Sequence, residues 1–443
     1  MTSGNLAPDR PAPAVSSTGA PLVNAKRAWG MTGLVIFLYV VNYADKAVLG
    51  IIAQPLAREL GLSSSQIGLV GSLFFLTFTI GGFLAGPMNK YMTLRWALLA
   101  LGLVWSVVML PLVVSASLAM LIVCRMLLGF AEGPSSALMH TAAYSWHAPA
   151  KRGLPGAFLT GSASVAKIAL APVLTYITVE WGWRAAVVSL SMLGAVWVVS
   201  WLTGWVEGPF TAKAVTKGDA TAAATHTEPS VPWRRILLSR TFVSCSFLVM
   251  AVYALTTVVL TWLPSYFEVG LGYSALQAGS MFALPSIIGL VLMVISGAVT
   301  DRMIQRGAKS RVVRIIVPCA GVLFCGVVLT ALPLIKTPIA AVLVLSVGYA
   351  FAAIVFPLVN AAISELCPPQ QTAGTMGVFL ALMAIGGLVA PYMTGVIVDH
   401  AASKADGYAQ AFQVIGIVGA IAAVVVLVFA NPDRDRARIR AGA

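Results

Sequence analysis

The sequence predicts an all-α integral membrane protein of twelve transmembrane helices, arranged as two pseudo-symmetric bundles of six. Three observations predict this fold class: the composition, the number of long apolar stretches and an internal repeat. Of the 443 residues, 59% are hydrophobic and only 10% are charged, whereas soluble domains carry about 25% charged residues. A soluble fold of this length would lack the polar side chains needed to cover its surface.

Twelve apolar stretches are long enough to cross a bilayer, which takes about 20 helical residues. They lie at residues 29–54, 65–88, 94–114, 118–146, 154–179, 185–206, 241–263, 275–299, 312–334, 339–366, 372–398 and 408–430. The predicted organisation is a disordered cytoplasmic tail at 1–28, an N-terminal six-helix bundle at 29–206, a cytoplasmic linker loop at 207–240, a C-terminal six-helix bundle at 241–430 and a basic cytoplasmic tail at 431–443. The first tail is polar and rich in proline, without the layout of a cleaved signal peptide.

The basic residues predict the orientation, because lysine and arginine concentrate in cytoplasmic loops. With the N-terminus inside, 21 of the 28 basic residues fall in cytoplasmic segments, four in outer loops and three within spans. We therefore expect a multi-pass protein of the plasma membrane with both termini cytoplasmic. The net charge of +13 then reflects topology and contact with anionic membrane lipids rather than nucleic-acid binding.

The sequence shows no sign of an enzyme, a metal site or a cofactor. It contains no His-Glu-x-x-His, no Gly-x-Ser-x-Gly and no phosphate-binding glycine loop. The four histidines are scattered, and the five cysteines lack the spacing of a metal site or a disulfide framework. We expect a monomer that binds no cofactor.

The two halves of the chain repeat each other at offsets of 211 to 225 residues. The matched positions are Gly86 with Gly297, Pro134 with Pro357, Gly153 with Gly374, Pro172 with Pro391, and Gly182 with Gly407. Two repeated halves with a binding site between them near the bilayer midplane are typical of alternating-access transporters.

Five ionisable residues lie deep within the predicted spans: Asp45, Lys46, Arg125, Glu132 and Lys167. Each costs at least about 2.5–3.5 kcal/mol at the bilayer centre, so such residues usually serve function. We expect them to line one central cavity, with Asp45 opposite Arg125 and with Glu132 two turns deeper on the same helix face. Asp45 and Arg125 could instead form a structural pair, and Lys46 could extend to the membrane surface.

The charge of this group predicts coupled binding of protons and an anion. With both acids ionised the five residues sum to +1, and with both protonated to +3, so protonation favours anion binding and the reverse. We therefore predict proton-driven import of an organic anion, with Asp45 and Glu132 as the proton-coupling residues. The predicted substrate-binding residues are Lys46, Arg125, Lys167, Tyr43, Asn42, Ser164 and Asn360.

Several motifs resemble those of the major facilitator superfamily and, within it, the anion:cation symporter family of organic-anion carriers. They are Asn42-Tyr43-Ala44-Asp45-Lys46, Arg125-Met-Leu-Leu-Gly129-Phe-Ala-Glu132-Gly-Pro134, Trp146-x-x-Pro149-x-x-Arg152-Gly153, Trp181-Gly-Trp-Arg184 and Gly297-x3-Asp301-Arg302-x3-Arg306-Gly307. The resemblance implies that the span-one acid and the span-four glutamate are protonated during transport, while the adjacent bases bind a substrate carboxylate. It also implies a gating role for Asp301, Arg302 and Arg306.

The chain departs from this family where substrate would bind. Lys46 replaces the usual arginine, which makes fork-like carboxylate binding less secure, and Lys167 adds a cation. Leu380 and Ala384 stand where sugar-acid carriers often have asparagine. These differences favour a monocarboxylate with an aromatic or short aliphatic body. The polar candidates from the second half are Tyr253, Thr256, Thr257, Asn360 and Tyr392.

Two other functions remain open from the sequence, and a third is disfavoured by charge. An organophosphate:phosphate antiporter would need paired cations, although not the two acids beside them. A proton:drug antiporter would need fewer intramembrane cations than this chain has. A membrane sensor that has lost transport would differ from a carrier in a flux assay.

Overall fold

The computed structural model describes residues 24–148, 151–210, 231–368 and 371–440, and it is helical throughout these ranges, with no strand in them. The spans are Ala25–Leu60, Ser64–Gly82, Leu94–Val114, Leu118–Tyr144, Gly153–Gly204 (two spans), Arg240–Gly270, Ala275–Thr300, Val312–Leu334, Pro338–Ser364, Gly374–His400 and Lys404–Phe429. We number them one to twelve in chain order. The predicted fold class is confirmed.

Spans five and six form one helical stretch that turns back at a glycine. Gly153–Gly204 has 52 residues, and a straight helix of that length would extend for about 78 Å, far beyond a hydrocarbon core of about 30 Å. Gly182 interrupts it with φ 84° and ψ 164°, a conformation that only glycine adopts readily. The stretch therefore crosses the membrane twice.

The helices extend into segments predicted as tails and linker. Span one begins at Ala25, within the predicted tail 1–28, because the Asn24 side chain accepts hydrogen bonds from the first-turn N–H groups. The linker helix, Trp233–Leu237, lies within the predicted loop 207–240. The C-terminal helix, Pro432–Arg440, lies within the predicted tail 431–443. The rest of these segments, at 1–23, 211–230 and 441–443, lies outside the described residues.

The two halves share an interruption at matching places. Span four breaks between Glu132 and Ser135 at Gly133-Pro134, and span ten breaks at Ile354. Span five contains a π-helical turn at Ala166–Leu170, an irregularity that often marks functional sites. The interruptions in spans four and five place Glu132 and Lys167 at irregular backbone in the middle of their spans.

The end of the bundle that carries the two chain termini is called the terminal end, and the other is called the opposite end. The halves meet closely at the opposite end. Span one packs against span seven, and span two against span eleven. A Cβ at Gly68 would collide with the carbonyl oxygen of Pro391. An Arg58–Glu268 ion pair at 2.6 Å also joins the halves there. The bundle is therefore closed at the opposite end.

Candidate transport site

Four of the five intramembrane charges come together where span one meets span four. Asp45, Arg125 and Glu132 are almost fully buried, with exposed fractions of 3%, 2% and 0%. Gly129 and Gly133 let span four pack closely against span two, because a Cβ at either position would collide with the backbone of span two. We call Asp45, Lys46, Arg125 and Glu132 the central charge group.

Lys46 pairs with Glu132 inside the group. Its Nζ lies 3.0 Å from Oε2 of Glu132 and donates a hydrogen bond to Oδ1 of Asn42, one turn earlier in span one. The ammonium also lies 4.8 Å from the ring centroid of Tyr43 and 5.1 Å from that of Phe78. Lys46 therefore points into the protein, and the alternative that it extends to the membrane surface is wrong.

Arg125 contacts the backbone of span one rather than the carboxylate predicted to face it. Its Nη1 donates to the main-chain oxygen of Asp45 at 2.9 Å, and its guanidinium lies 4.6 Å from the ring centroid of Phe74. Among the described residues, the Asp45 carboxylate forms no ion pair, and its Oδ2 is buried without a hydrogen-bond partner. The alternative of a structural Asp45–Arg125 ion pair is thus wrong, although Arg125 does lie opposite Asp45. Consecutive helical residues point about 100° apart, and it is the Lys46 side chain that forms the ion pair with span four.

Lys167 occupies a separate position in the π-helical turn of span five. It is 7% exposed, and its Nζ lies 5.8 Å from the ring centroid of Tyr349 in span ten. Within the described ranges no carboxylate pairs with it. Lys167 is thus a buried cation of the first half that faces an aromatic ring of the second half.

Aromatic side chains connect the two halves beside these charges. Tyr253 of span seven lies edge-on to Phe75 of span two at 5.9 Å and to Phe356 of span ten at 6.5 Å. Sequence reasoning selected Tyr253 but missed Phe75, Phe356 and Tyr349. Only their contacts in the folded chain, with Lys167 for Tyr349 and with Tyr253 for Phe75 and Phe356, distinguish them, since aromatic residues are common throughout apolar helices.

Other predicted residues lie outside the central charge group. Ser164 is partly exposed on span five, and Asn360 on span ten is partly exposed with a buried Oδ1 that has no hydrogen-bond partner among the described residues. The Thr256 and Thr257 hydroxyls donate to carbonyl groups of their own helix. Tyr392 is 45% exposed, and its N–H donates to the Ser72 hydroxyl of span two at 3.1 Å.

The predicted gating residues lie at the terminal end of span eight. Arg302 and Arg306 are exposed, and the N–H of Arg306 donates to the main-chain oxygen of Arg302 at 3.1 Å. The side chain of Asp301 lies outside the described residues. Arg302 and Arg306 do not contribute to the central charge group.

Some motif residues brace the fold instead of lining the site. Arg184 donates to both carboxylate oxygens of Glu59, at 2.5 and 2.8 Å, and the Trp183 indole donates to the same carboxylate at 2.7 Å. Arg152 donates to the main-chain oxygen of His147 at 3.2 Å. The Trp-Gly-Trp-Arg motif therefore ties span six to the end of span one.

In the described residues, twelve spans in two halves, with a buried charge group inside the first half, define a polytopic membrane transporter. The sequence model described as Major Facilitator Superfamily matches residues 35–391 and 310–443. The chain belongs to this superfamily, and the prediction that it is a transporter rather than an enzyme is confirmed.

The names of similar proteins indicate that the chain resembles the organic-anion carriers of the superfamily. The chain is 26% identical over 408 residues to the hexuronate transporter of Bacillus subtilis (strain 168), covering 90% of this chain and 94% of the relative. It is 26% identical over 429 residues to "Probable sulfoacetate transporter SauU" of Cupriavidus necator, covering 92% and 96%. The predicted resemblance to organic-anion carriers is confirmed.

Solved structures share the fold at low sequence identity. A bacterial homologue of the human lysosomal transporter Spinster, described as inward-facing and occupied, aligns with a TM-score of 0.75 at 15% identity, covering 93% of this chain and 98% of that one. The inward-open xylose transporter XylE from E. coli aligns with a TM-score of 0.73 at 14% identity, covering 91% and 96%.

Proposed function

We propose that the protein imports an organic anion, a monocarboxylate, together with protons by alternating access. The observation that carries this proposal is the buried Lys46–Glu132 pair at 3.0 Å, beside a second buried acid, Asp45. Relatives described as hexuronate and sulfoacetate transporters support an anionic substrate.

The ion pair supplies the coupling. While Glu132 is ionised, it occupies Lys46, and an incoming carboxylate would have to compete with it. Protonation of Glu132 removes that competitor and frees the ammonium for the substrate. Proton binding and anion binding then favour each other, as thermodynamic linkage requires for symport.

A single carboxylate matches the cations available in the site. Lys46 is held by Glu132 and Arg125 by the backbone of span one, whereas Lys167 has no acidic partner among the described residues. We assign the substrate carboxylate to Lys167, with Lys46 joining once Glu132 is protonated. The rings of Tyr253 and Tyr349 would then contact an apolar substrate body.

Import is the direction that an inward proton gradient would drive through coupled binding. If both termini are cytoplasmic, the closed opposite end faces outward. Moving one negative charge inward costs about 2.3 kcal/mol per 100 mV of membrane potential. One or more co-transported protons offset this cost.

The test uses purified full-length protein in liposomes. A thermal-shift screen of mono- and dicarboxylates, including glucuronate and sulfoacetate, at about pH 5.5 and about pH 7.5 would select a substrate, with stronger stabilisation expected at the lower pH. Uptake is then driven by an inward proton gradient, with internal pH recorded. We expect Glu132→Gln to remove the effect of pH on substrate affinity, which a coupling free energy usually sets at roughly 5- to 150-fold, and to lower gradient-driven uptake.

Glu180→Gln is the matched control, because Glu180 is an exposed acid at the end of span five. It should leave uptake and internal acidification unchanged. Unchanged proton-driven uptake by Glu132→Gln would refute the proposal. Anion exchange without acidification would indicate an antiporter instead, and ligand binding without flux would indicate a sensor.

A further inference from the structure

A second cationic site lies at the terminal end, away from the central charge group. A cavity of about 290 Å³ opens between the linker helix, the start of span seven and the C-terminal helix. It is lined by Arg235, Arg240, Arg438, Leu238, Asp435 and Ile439. Three arginines and one aspartate therefore face a single pocket.

Asp435 holds the C-terminal helix against span seven. Its Oδ2 accepts hydrogen bonds from the N–H and the hydroxyl of Thr241 at 2.9 and 2.7 Å, and its Oδ1 accepts one from Arg434 at 2.9 Å. Burial alone would raise the pKa of Asp435, but Arg434 and Thr241 together hold it below its ordinary value. The carboxylate is thus ionised at neutral pH and already bonded, and it offsets only part of the arginine charge.

The segments that form the pocket are strongly basic overall. Residues 232–240 and 431–440 contain seven arginines and two aspartates. Guanidinium groups bind phosphate oxygens through paired N–H donors, which makes clustered arginines suited to phosphate. An anion with a phosphate group is therefore the ligand that this chemistry favours.

The apolar side chains at the pocket point to a lipid as the source of that phosphate. Leu238, which lines the cavity, is 67% exposed, and Trp233 in the linker helix is 44% exposed. Span seven begins at Arg240 and span twelve ends at Phe429, so the pocket lies at the membrane boundary. Tryptophan and basic residues concentrate at that depth, and basic pockets there bind anionic head groups.

We propose that this pocket binds the head-group phosphate of an anionic phospholipid, with Arg240 and Arg438 as phosphate ligands and Leu238 against the acyl chains. The site is independent of the transport mechanism. A bound lipid would link the C-terminal helix to the start of span seven.

The test measures lipid retention on the full-length protein by native mass spectrometry. The probes are phosphatidylglycerol, phosphatidylcholine, and soluble glycerol phosphate as competitor. Wild type should retain phosphatidylglycerol over phosphatidylcholine, and Arg240→Gln with Arg438→Gln should lower that retention about tenfold, equivalent to ~1.4 kcal/mol. Arg436→Gln is the matched control, because Arg436 is exposed on the same helix and does not line the cavity.

The wild-type protein alone can refute the proposal, so the test does not depend on the double variant folding. Equal retention of both lipids would overturn it, and so would equal retention by the double variant and wild type. Binding of glycerol phosphate without any preference for phosphatidylglycerol over phosphatidylcholine would show a site for soluble phosphate and would also overturn it. Arg240→Lys with Arg438→Lys should keep part of the retention, because lysine keeps the charge but not the paired donors.

Discussion

At the residue scale, Lys46 and Lys167 are both buried cations, yet their surroundings differ. Lys46 has an acidic partner, an amide and two aromatic rings around its ammonium. Lys167 has the ring of Tyr349 and, in the described part of the chain, no acid. Since an unpaired buried charge is costly, Lys167 is the side chain with most to gain from an anionic ligand.

Replacement of Lys167 tests that assignment. Lys167→Gln should weaken substrate binding roughly 10- to 150-fold, because a hydrogen bond to a charged group contributes about 1.5–3 kcal/mol. The apparent KM for uptake, compared with the maximal rate, measures this. Lys167→Arg should retain most of the affinity, and Lys404→Gln, at an exposed lysine, should change nothing. A rise in KM no greater than that of Lys404→Gln would exclude Lys167 from the site.

At the element scale, the sequence predicts the spans well but not the partners of their side chains. Apolar runs mark the bilayer crossings, so the limits of spans three and nine agree with the prediction. Whether Asp45 or Lys46 forms the ion pair with span four depends on how span one is rotated about its axis. Hydrophobic periodicity does not reveal this rotation in a helix that is apolar on all sides. Tyr349 could not be selected from the sequence for the same reason, because only its contact with Lys167 on another helix distinguishes it.

One contact at this scale joins the two halves through a helix end. Both oxygens of Asp399, at the end of span eleven, accept hydrogen bonds from the first-turn N–H groups of span two, 2.9 Å from Ser64 and 2.7 Å from Ser65. A carboxylate at a helix N-terminus is favoured by unpaired N–H groups and by the helix dipole. Asp399 therefore caps a helix of the other half and stabilises closure of the opposite end.

Removing this cap should loosen the opposite end. In Asp399→Ala, hydrogen exchange of the Ser64 and Ser65 amides should accelerate about tenfold, since a cap contributes about 1 kcal/mol and up to about 2. Hydrogen–deuterium exchange with peptide resolution measures this. Asp406→Ala is the control, because Asp406 bonds only to Ser403 at the start of its own span among the hydrogen bonds of the described residues. Unchanged protection in Asp399→Ala would show that the cap does not stabilise closure.

At the scale of the whole molecule, alternating access requires the halves to separate where they now touch. Helices in membranes approach closely through small residues, and glycines form the contacts here. Gly50 faces the main-chain oxygens of span seven, Gly68 faces Pro391, and Gly395 faces Ser64. The internal repeat predicts two halves, but it does not indicate which end is closed, since this depends on contacts between residues more than 200 positions apart.

A single methyl group at the Gly68–Pro391 contact should shift the protein from the conformation closed at the opposite end towards the one open there. The Cβ of Gly68→Ala would collide with the Pro391 carbonyl, so spans two and eleven must separate, whereas Gly33→Ala places a methyl group where nothing lies within 4 Å. Spin labels at Ser115→Cys and Lys336→Cys, both exposed on opposite halves, report the separation, and the five native cysteines are buried. Double electron–electron resonance should show longer distances between the two labels in Gly68→Ala and unchanged distances in Gly33→Ala. In the liposome assay, uptake should be slower in Gly68→Ala only. Equal distances in both variants would mean that this contact does not control closure.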